Sequence, residues 1–88
     1  DTGMRPPIEN LRVKRNENEI RLTWNYPTKN ENTFFIIYKK NKKGQLVQHD
    51  RSLELSFRES GNKNDTYAIK VFTTDGRQSK ISEEIVVK

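Results

Sequence analysis

The stretch Ile20-Arg21-Leu22-Thr23-Trp24 alternates apolar and polar side chains and ends at the only tryptophan of the chain. A period of two is typical of a β-strand with one buried face. We therefore expect Ile20, Leu22 and Trp24 to point into a core, and Arg21 and Thr23 to point outward. Because aromatic side chains bury a large area, the strands opposite Trp24 must pack around it.

The composition indicates one small domain with a single hydrophobic core. The chain has 88 residues and no cysteine, so neither a disulfide nor a zinc site is expected. Hydrophobic residues make up only 31%, but they fall in clusters, which argues against disorder. The 17 Lys and Arg exceed the 12 Asp and Glu, and the net charge of +5 allows a weak attraction to polyanions, although such a charge more often only keeps a protein soluble. No apolar run approaches the roughly 20 residues that span a bilayer, so no membrane insertion is expected.

Residues 1–6 are predicted to be a linker or an expression remnant, and residues 7–88 a single domain. The chain begins without a signal peptide, which indicates a segment of a longer protein. Seven segments carry strand patterns and are separated by polar turns. These segments are residues 8–13, 20–24, 34–38, 45–49, 53–57, 66–74 and 84–88.

Seven short strands without an amphipathic helix predict an all-β fold, a seven-stranded antiparallel immunoglobulin-like sandwich. A small β-barrel is the alternative. The last strand has two possible registers, with Ile85 and Val87 inward or Val86 inward.

The strand at residues 34–38 is the most apolar and is expected to be central. We predict that Phe34, Ile36 and Tyr38 point inward. On the strand at residues 66–74, the inward residues are expected to be Tyr67, Ile69 and Val71. The outward residues then predict an apolar interaction face made of Phe35, Ile37, Ala68 and Phe72. The alternative is ordinary cross-strand pairing, with the rings covered by long neighbouring side chains.

Five short motifs, in this order, resemble those of the fibronectin type III family over residues 7–87. They are Pro7 before the first strand, Leu22-x-Trp24, Phe34-x-Ile36-x-Tyr38, Tyr67-x-Ile69-x-Val71, and Gly76-x-x-Ser79-x-x-Ser82. The resemblance implies a fibronectin type III sandwich. The family's proline before the Tyr67 strand is missing. The resemblance also implies that the Tyr67 hydroxyl bonds to the backbone of the preceding loop.

The high content of Lys and Asn, the lack of cysteine and the small size look most like bacterial members of that family. Such members commonly sit as modules in secreted or surface enzymes that act on polysaccharides. The resemblance therefore implies an extracellular or cell-surface location and an accessory role beside a carbohydrate-active enzyme.

Four lysines, Lys39, Lys40, Lys42 and Lys43, form the strongest charge cluster, in a predicted hairpin that turns at Gly44. They are candidate contacts for an acidic glycan or another polyanion. The alternative is a solvated hairpin tip whose lysines guard the neighbouring apolar strand. No aromatic residue outside the predicted core flanks the cluster, so specific nucleic-acid recognition is not expected.

The sequence offers no set of catalytic residues. Its only histidine, His49, lies beside Asp50 in a short strand or its loop and is expected at the surface. The adjacent Glu83 and Glu84 would point to opposite faces of a strand and could not act as a paired acid and base. We expect no catalytic site, cofactor or metal.

We therefore predict a non-catalytic fibronectin type III-like module of a larger extracellular or cell-surface protein. Its expected role is a spacer or a docking unit for neighbouring domains of the same polypeptide. The alternative is a binding module for an acidic polymer through the hairpin of residues 39–43. Another protein and an acidic glycan are the further possible partners.

Overall fold

The computed structural model describes residues 4–88. These residues form nine β-strands and no helix, so none of their elements is a helix long and apolar enough to cross a membrane. The strands are β1 Met4–Arg5, β2 Glu9–Asn16, β3 Glu19–Asn25, β4 Thr33–Lys40, β5 Leu46–Ser52, β6 Ser56–Ser60, β7 Thr66–Thr73, β8 Gln78–Ser79 and β9 Ile85–Val86.

The strands form two sheets that pack face to face. One sheet has the order β2-β3-β6, and the other has the order β1-β8-β7-β4-β5, with β9 also paired to β7. The core between them contains the predicted inward residues of β3 and of β7. Its members are Ile8, Ile20, Leu22, Trp24, Tyr26, Phe35, Ile37, Tyr67, Ile69, Val71 and Val87. The predicted all-β sandwich and the predicted face of β3 are confirmed.

The predicted orientation of β4 is wrong. Phe35 and Ile37 are fully buried in the core. Phe34, Ile36 and Tyr38 are half-buried on the outer side of the sheet. The pairing with β7 explains this, because residues directly opposite on two antiparallel strands share a face.

The opposite pairs show which face each residue takes. Phe35 lies opposite Val71, and Ile37 lies opposite Ile69. Since Val71 and Ile69 point into the core, their β4 partners must do so as well. The alternation within β4 could not reveal this, because both of its phases are apolar.

The last predicted strand is split into β8 and β9, which pair with different parts of β7. Ser79 at the end of β8 and Ser82 in the segment after it supply side-chain acceptors for two N–H groups of β7. The Ser79 hydroxyl accepts a hydrogen bond from the Val71 N–H at 2.9 Å. The Ser82 hydroxyl accepts one from the Ile69 N–H at 2.8 Å. Val87 is fully buried and Ile85 is half-buried, so of the two registers left open, the first is observed.

Two other elements differ from the sequence prediction. Met4 and Arg5, assigned to a linker, pair in parallel with Gln78 and Ser79, because extended chain can hydrogen-bond to the open edge of β8. The first three residues of that predicted linker lie outside the described residues. The strand predicted at residues 53–57 is β6 and begins only at Ser56, since Leu53 is exposed and precedes it in a bend.

Candidate functional site

The outer side of the larger sheet carries a semi-apolar surface, which we call the β4–β7 face. It consists of Phe34, Ile36, Tyr38, Lys70 and Phe72, each of them half-buried. The rings of Phe34 and Phe72 stack with centroids 5.8 Å apart and planes inclined by 21°. The Lys70 ammonium lies 5.7 Å from the Phe72 ring centroid, a cation–π distance.

A shallow depression borders this face at the β8 edge. Met4, Tyr38, Lys70 and Ile81 are among the residues that line it. Met4 and Ile81 are exposed apolar side chains. The depression therefore extends the β4–β7 face toward both β1 and the segment between β8 and β9.

Only one of the four residues predicted for the interaction face, Phe72, lies on it with exposed surface. Phe35 and Ile37 are in the core, and Ala68 is fully buried opposite Tyr38. The sequence could not show that the inward and outward residues of β4 are reversed, because both alternating sets of side chains in residues 34–38 are apolar. The predicted face is thus corrected to the neighbouring residues of the same strand.

The predicted cluster of four lysines does not form one surface. Lys39 is half-buried and lies 3.6 Å from a Glu59 carboxylate oxygen and 3.5 Å from one of Asp65. Lys40 forms an exposed ion pair with Glu84 at 2.9 Å. Only Lys42 and Lys43 remain at the exposed tip of the hairpin. A polyanion would therefore meet two lysines there, with the charge of Lys40 partly balanced.

Glu59 is the centre of a polar cluster that the sequence did not predict. Its carboxylate accepts a hydrogen bond from the Tyr67 hydroxyl at 2.5 Å and lies 2.7 Å from Nε2 of His49. The Lys39 ammonium neighbours the same carboxylate and lies 5.5 Å from the Tyr67 ring centroid. The expected bond from the Tyr67 hydroxyl to loop backbone is replaced by this bond to a side chain.

The cluster keeps Tyr67 as a hydrogen-bond donor. Burial, followed by the hydrogen bond to the Glu59 carboxylate, raises the pKa of the Tyr67 hydroxyl well above its usual range. A hydroxyl held in this way is neither a base nor an activated nucleophile. The partners of Glu59 are buried Tyr67, half-buried Lys39 and exposed His49, so the cluster ties β4, β5, β6 and β7 together.

The described part of the chain, residues 4–88, contains no group of three or more His, Asp or Glu side chains placed to hold a metal ion. Glu83 and Glu84 lie in the irregular segment before β9 rather than in a strand. Glu84 is engaged by Lys40, as described above.

No protein-family model and no curated protein matches the chain. Solved structures with a similar fold include the following two. The first is "Titin kinase and its flanking domains", at a TM-score of 0.62 and 18% identity, covering 97% of this chain and 17% of that chain. The second is the sixth fibronectin type III domain from human fibronectin type III domain containing protein 3. Its TM-score is 0.59 and its identity 18%, covering 92% of this chain and 83% of that one.

At this level of identity the likeness concerns the fold. It agrees with the two-sheet all-β sandwich. The chain spans less than a fifth of the titin kinase structure that it matches. The predicted resemblance is confirmed for the fold, while a bacterial origin stays a prediction. The chain has the fold of a fibronectin type III domain.

Proposed function

We propose that this domain is a non-catalytic docking and spacer module of a larger extracellular or cell-surface protein. It packs against a neighbouring domain of the same polypeptide through the β4–β7 face. The observation that carries this proposal is the presence of four apolar side chains, Phe34, Ile36, Tyr38 and Phe72, on the outer side of a sheet.

Apolar surface gathered on one face supports an interface. Half-buried aromatic rings are favoured at the centre of interfaces, because they bury a large area at a small cost in side-chain entropy. Lys70 covers part of Phe72, but its flexible side chain can move aside when a partner approaches. The depression at Met4 and Ile81 offers a concave margin into which a partner side chain can insert.

A domain of this fold and size is suited to work within a multidomain chain. One similar structure is of a kinase together with its flanking domains, and this chain corresponds to 17% of it. We further propose that the parent protein is a secreted bacterial enzyme that acts on polysaccharide. The support is a resemblance: the domain is rich in Lys and Asn and has no cysteine, like bacterial members of the family, which commonly accompany such enzymes.

The docking proposal is tested in the parent polypeptide, extended to the nearest neighbouring domain. Changing Phe34→Ser and Phe72→Ser should leave this domain folded, as judged by Trp24 fluorescence. The two domains should separate, with a larger radius of gyration by small-angle scattering and faster proteolysis of the segment between them. The matched control is Val47→Ser with Leu53→Ser, which removes two exposed apolar side chains from outside the face. Unchanged scattering and proteolysis of the Phe34 and Phe72 variant would refute the docking role.

The location and the neighbours are tested by one further measurement. An antiserum raised to this domain should capture the source protein from the culture medium or from the cell surface. Mass spectrometry of the captured protein then gives its full sequence. A polysaccharide-active domain beside this one would support the accessory role, whereas recovery from the cytoplasm would refute the proposed location.

A further inference from the structure

The outer face of the β2-β3-β6 sheet carries a row of cations that only the strand register reveals. Lys14 of β2 lies directly opposite Arg21 of β3. Arg21 in turn lies directly opposite Arg58 of β6. Their chain neighbours Leu22 and Phe57 face the core, so the three cations point outward, and all three are exposed. We call these three residues the cationic row.

The row is compact. Side chains directly opposite on antiparallel strands have Cβ atoms about 4.5–5.5 Å apart. Adjacent strands lie about 4.8 Å apart, so three of them place the charges within about 10 Å. Arg12, opposite Thr23, is exposed on the same face and two residues from Lys14, which extends the positive surface along β2.

Within residues 4–88, none of these three cations has a carboxylate at ion-pair distance, and the nearest acidic residue along β3 on this face is Glu19, two residues from Arg21. The ion pairs of this part of the chain involve Lys39, Lys40, His49 and Arg77. Like charges directly opposite on neighbouring strands destabilise a sheet. The row therefore sets like charges side by side, and a surface of one sign attracts anions from solution.

A shallow polar depression adjoins the row at Arg21. It is lined by Arg21, Thr23, Lys29, Glu54, Leu55 and Ser56. Thr23 and Ser56 are directly opposite each other, and within residues 4–88 their hydroxyls form no hydrogen bond. The depression thus offers hydroxyl groups and one carboxylate beside a group of cations.

We infer that this face binds a linear acidic glycan. The cationic row contacts the sulfate or carboxylate groups of the glycan, and the residues of the depression contact a sugar ring. Guanidinium groups match the planar or branched oxygens of such anions and bind them by paired hydrogen bonds. The hydroxyls of Thr23 and Ser56 and the carboxylate of Glu54 are acceptors for sugar hydroxyls.

The depression favours a glycan over other polyanions. A duplex DNA backbone carries no hydroxyl donors for the acceptors of the depression, and the residues of the row and the depression include no aromatic ring on which bases could stack. An acidic peptide brings few hydroxyl donors for the acceptors of the depression. This surface is separate from the β4–β7 face, so the glycan proposal and the docking proposal can be refuted independently of each other.

The binding experiment uses the 88-residue chain and five immobilised polymers. They are dextran sulfate, polygalacturonate, neutral dextran, polyglutamate and random duplex DNA. We expect the two acidic glycans to bind more tightly than polyglutamate and DNA, and neutral dextran not to bind. Preference between dextran sulfate and polygalacturonate identifies the anion as sulfate or carboxylate. Equal or tighter binding of DNA or polyglutamate would overturn the assignment to a glycan.

The row is tested with Lys14→Gln, Arg21→Gln and Arg58→Gln together. Since each exposed ion contact contributes about threefold, the affinity for the preferred glycan should fall about 30-fold. The slope of log affinity against log salt should also decrease by about three. Because like charges are removed, the urea midpoint followed by Trp24 fluorescence should stay the same or rise.

Two further variants decide whether position matters. The control Lys42→Gln, Lys43→Gln and Lys63→Gln removes the same charge from exposed residues elsewhere, and it should weaken binding less than about threefold. Thr23→Ala with Ser56→Ala keeps the charge and should weaken the glycan about fivefold without affecting polyglutamate. An equal loss in the row variant and the control would show an effect of net charge alone and refute the site.

Discussion

Replacing the two adjacent phenylalanines of β4 one at a time measures which of them the core contains. Phe35 is fully buried, and its ring meets Trp24 edge-on at a centroid distance of 5.3 Å. A second edge-on contact joins it to Tyr26 at 5.8 Å. Phe34 is half-buried and has one stacked partner, Phe72.

The expected costs differ by more than the error of an unfolding experiment. Truncation of a buried phenylalanine to alanine costs about 3–5 kcal/mol, because a cavity is left where the ring was. Phe34→Ala loses a half-exposed ring and one stacked contact, about 1–2 kcal/mol. A domain of this size has about 4–13 kcal/mol of total stability. A loss of about 4 kcal/mol through Phe35→Ala would lower Tm by about 15–30 °C.

Urea unfolding followed by Trp24 fluorescence gives both values. We expect the midpoint of Phe35→Ala to lie about 1–2 M below that of Phe34→Ala. If Phe35→Ala does not fold, the milder Phe35→Leu should cost about 1–2 kcal/mol and Phe34→Leu much less. Equal costs, or a larger cost at Phe34, would refute the observed orientation of β4 and with it the β4–β7 face.

Three other substitutions test the packing and the polar contacts. Ser79→Ala leaves the buried N–H of Val71 without its acceptor and should lower the free energy of unfolding by about 1–3 kcal/mol. In urea titrations above pH 10 the unchanged protein should lose up to about 1.4 kcal/mol of stability per pH unit, and Tyr67→Phe should remove this loss. Gly61→Ala would place a Cβ 2.9 Å from Cγ1 of Ile20, so it should cost about 1–3 kcal/mol in the same assay.

The sign of the Tyr67 effect follows from its raised pKa. The unfolded chain releases the hydroxyl proton near pH 10, whereas the folded protein keeps it to higher pH. The stabilisation is therefore complete below pH 10 and is lost as the pH rises above it. A Tyr67→Phe variant with the same alkaline loss would contradict this origin.

The controls for the other two are equally direct. A Ser79→Ala variant as stable as the unchanged protein would show that the Val71 N–H finds another partner. Gly44→Ala tests backbone strain alone, because Gly44 has a φ of 80° and a Cβ there would meet no atom within 4 Å. If Gly61→Ala costs no more than Gly44→Ala, Ile20 moves aside and the close contact is not limiting.

Where apolar side chains occupy only every second position, the sequence predicted both the strand and its buried face. Residues 20–24 have apolar side chains only at alternate positions, so a strand there can bury its apolar side in a single way. The strand at residues 66–74 is less one-sided, because Ala68 and Phe72 occupy its other phase, yet the predicted inward residues Tyr67, Ile69 and Val71 agree with the structure. The order of the turns and of the short motifs was enough for the sandwich and for its likeness to fibronectin type III domains.

The surfaces were decided by tertiary pairing. Alternation cannot orient residues 34–38, where both phases are apolar, and the face is set by the register with β7. Lys39 lies within four residues of three other lysines in the sequence, yet the packing of the strands places it against Glu59 and Asp65.

The cationic row shows the same limit most clearly. It unites Lys14 of β2, Arg21 of β3 and Arg58 of β6. Along the chain, β6 is separated from β3 by β4 and β5, which belong to the other sheet. Each is an ordinary outward residue in its own strand pattern. The sequence by itself determined which strands form and which positions of the one-sided strands are buried, because those are local properties. Which outward side chains become neighbours was decided only by the register between strands, which depends on the packing of the whole core.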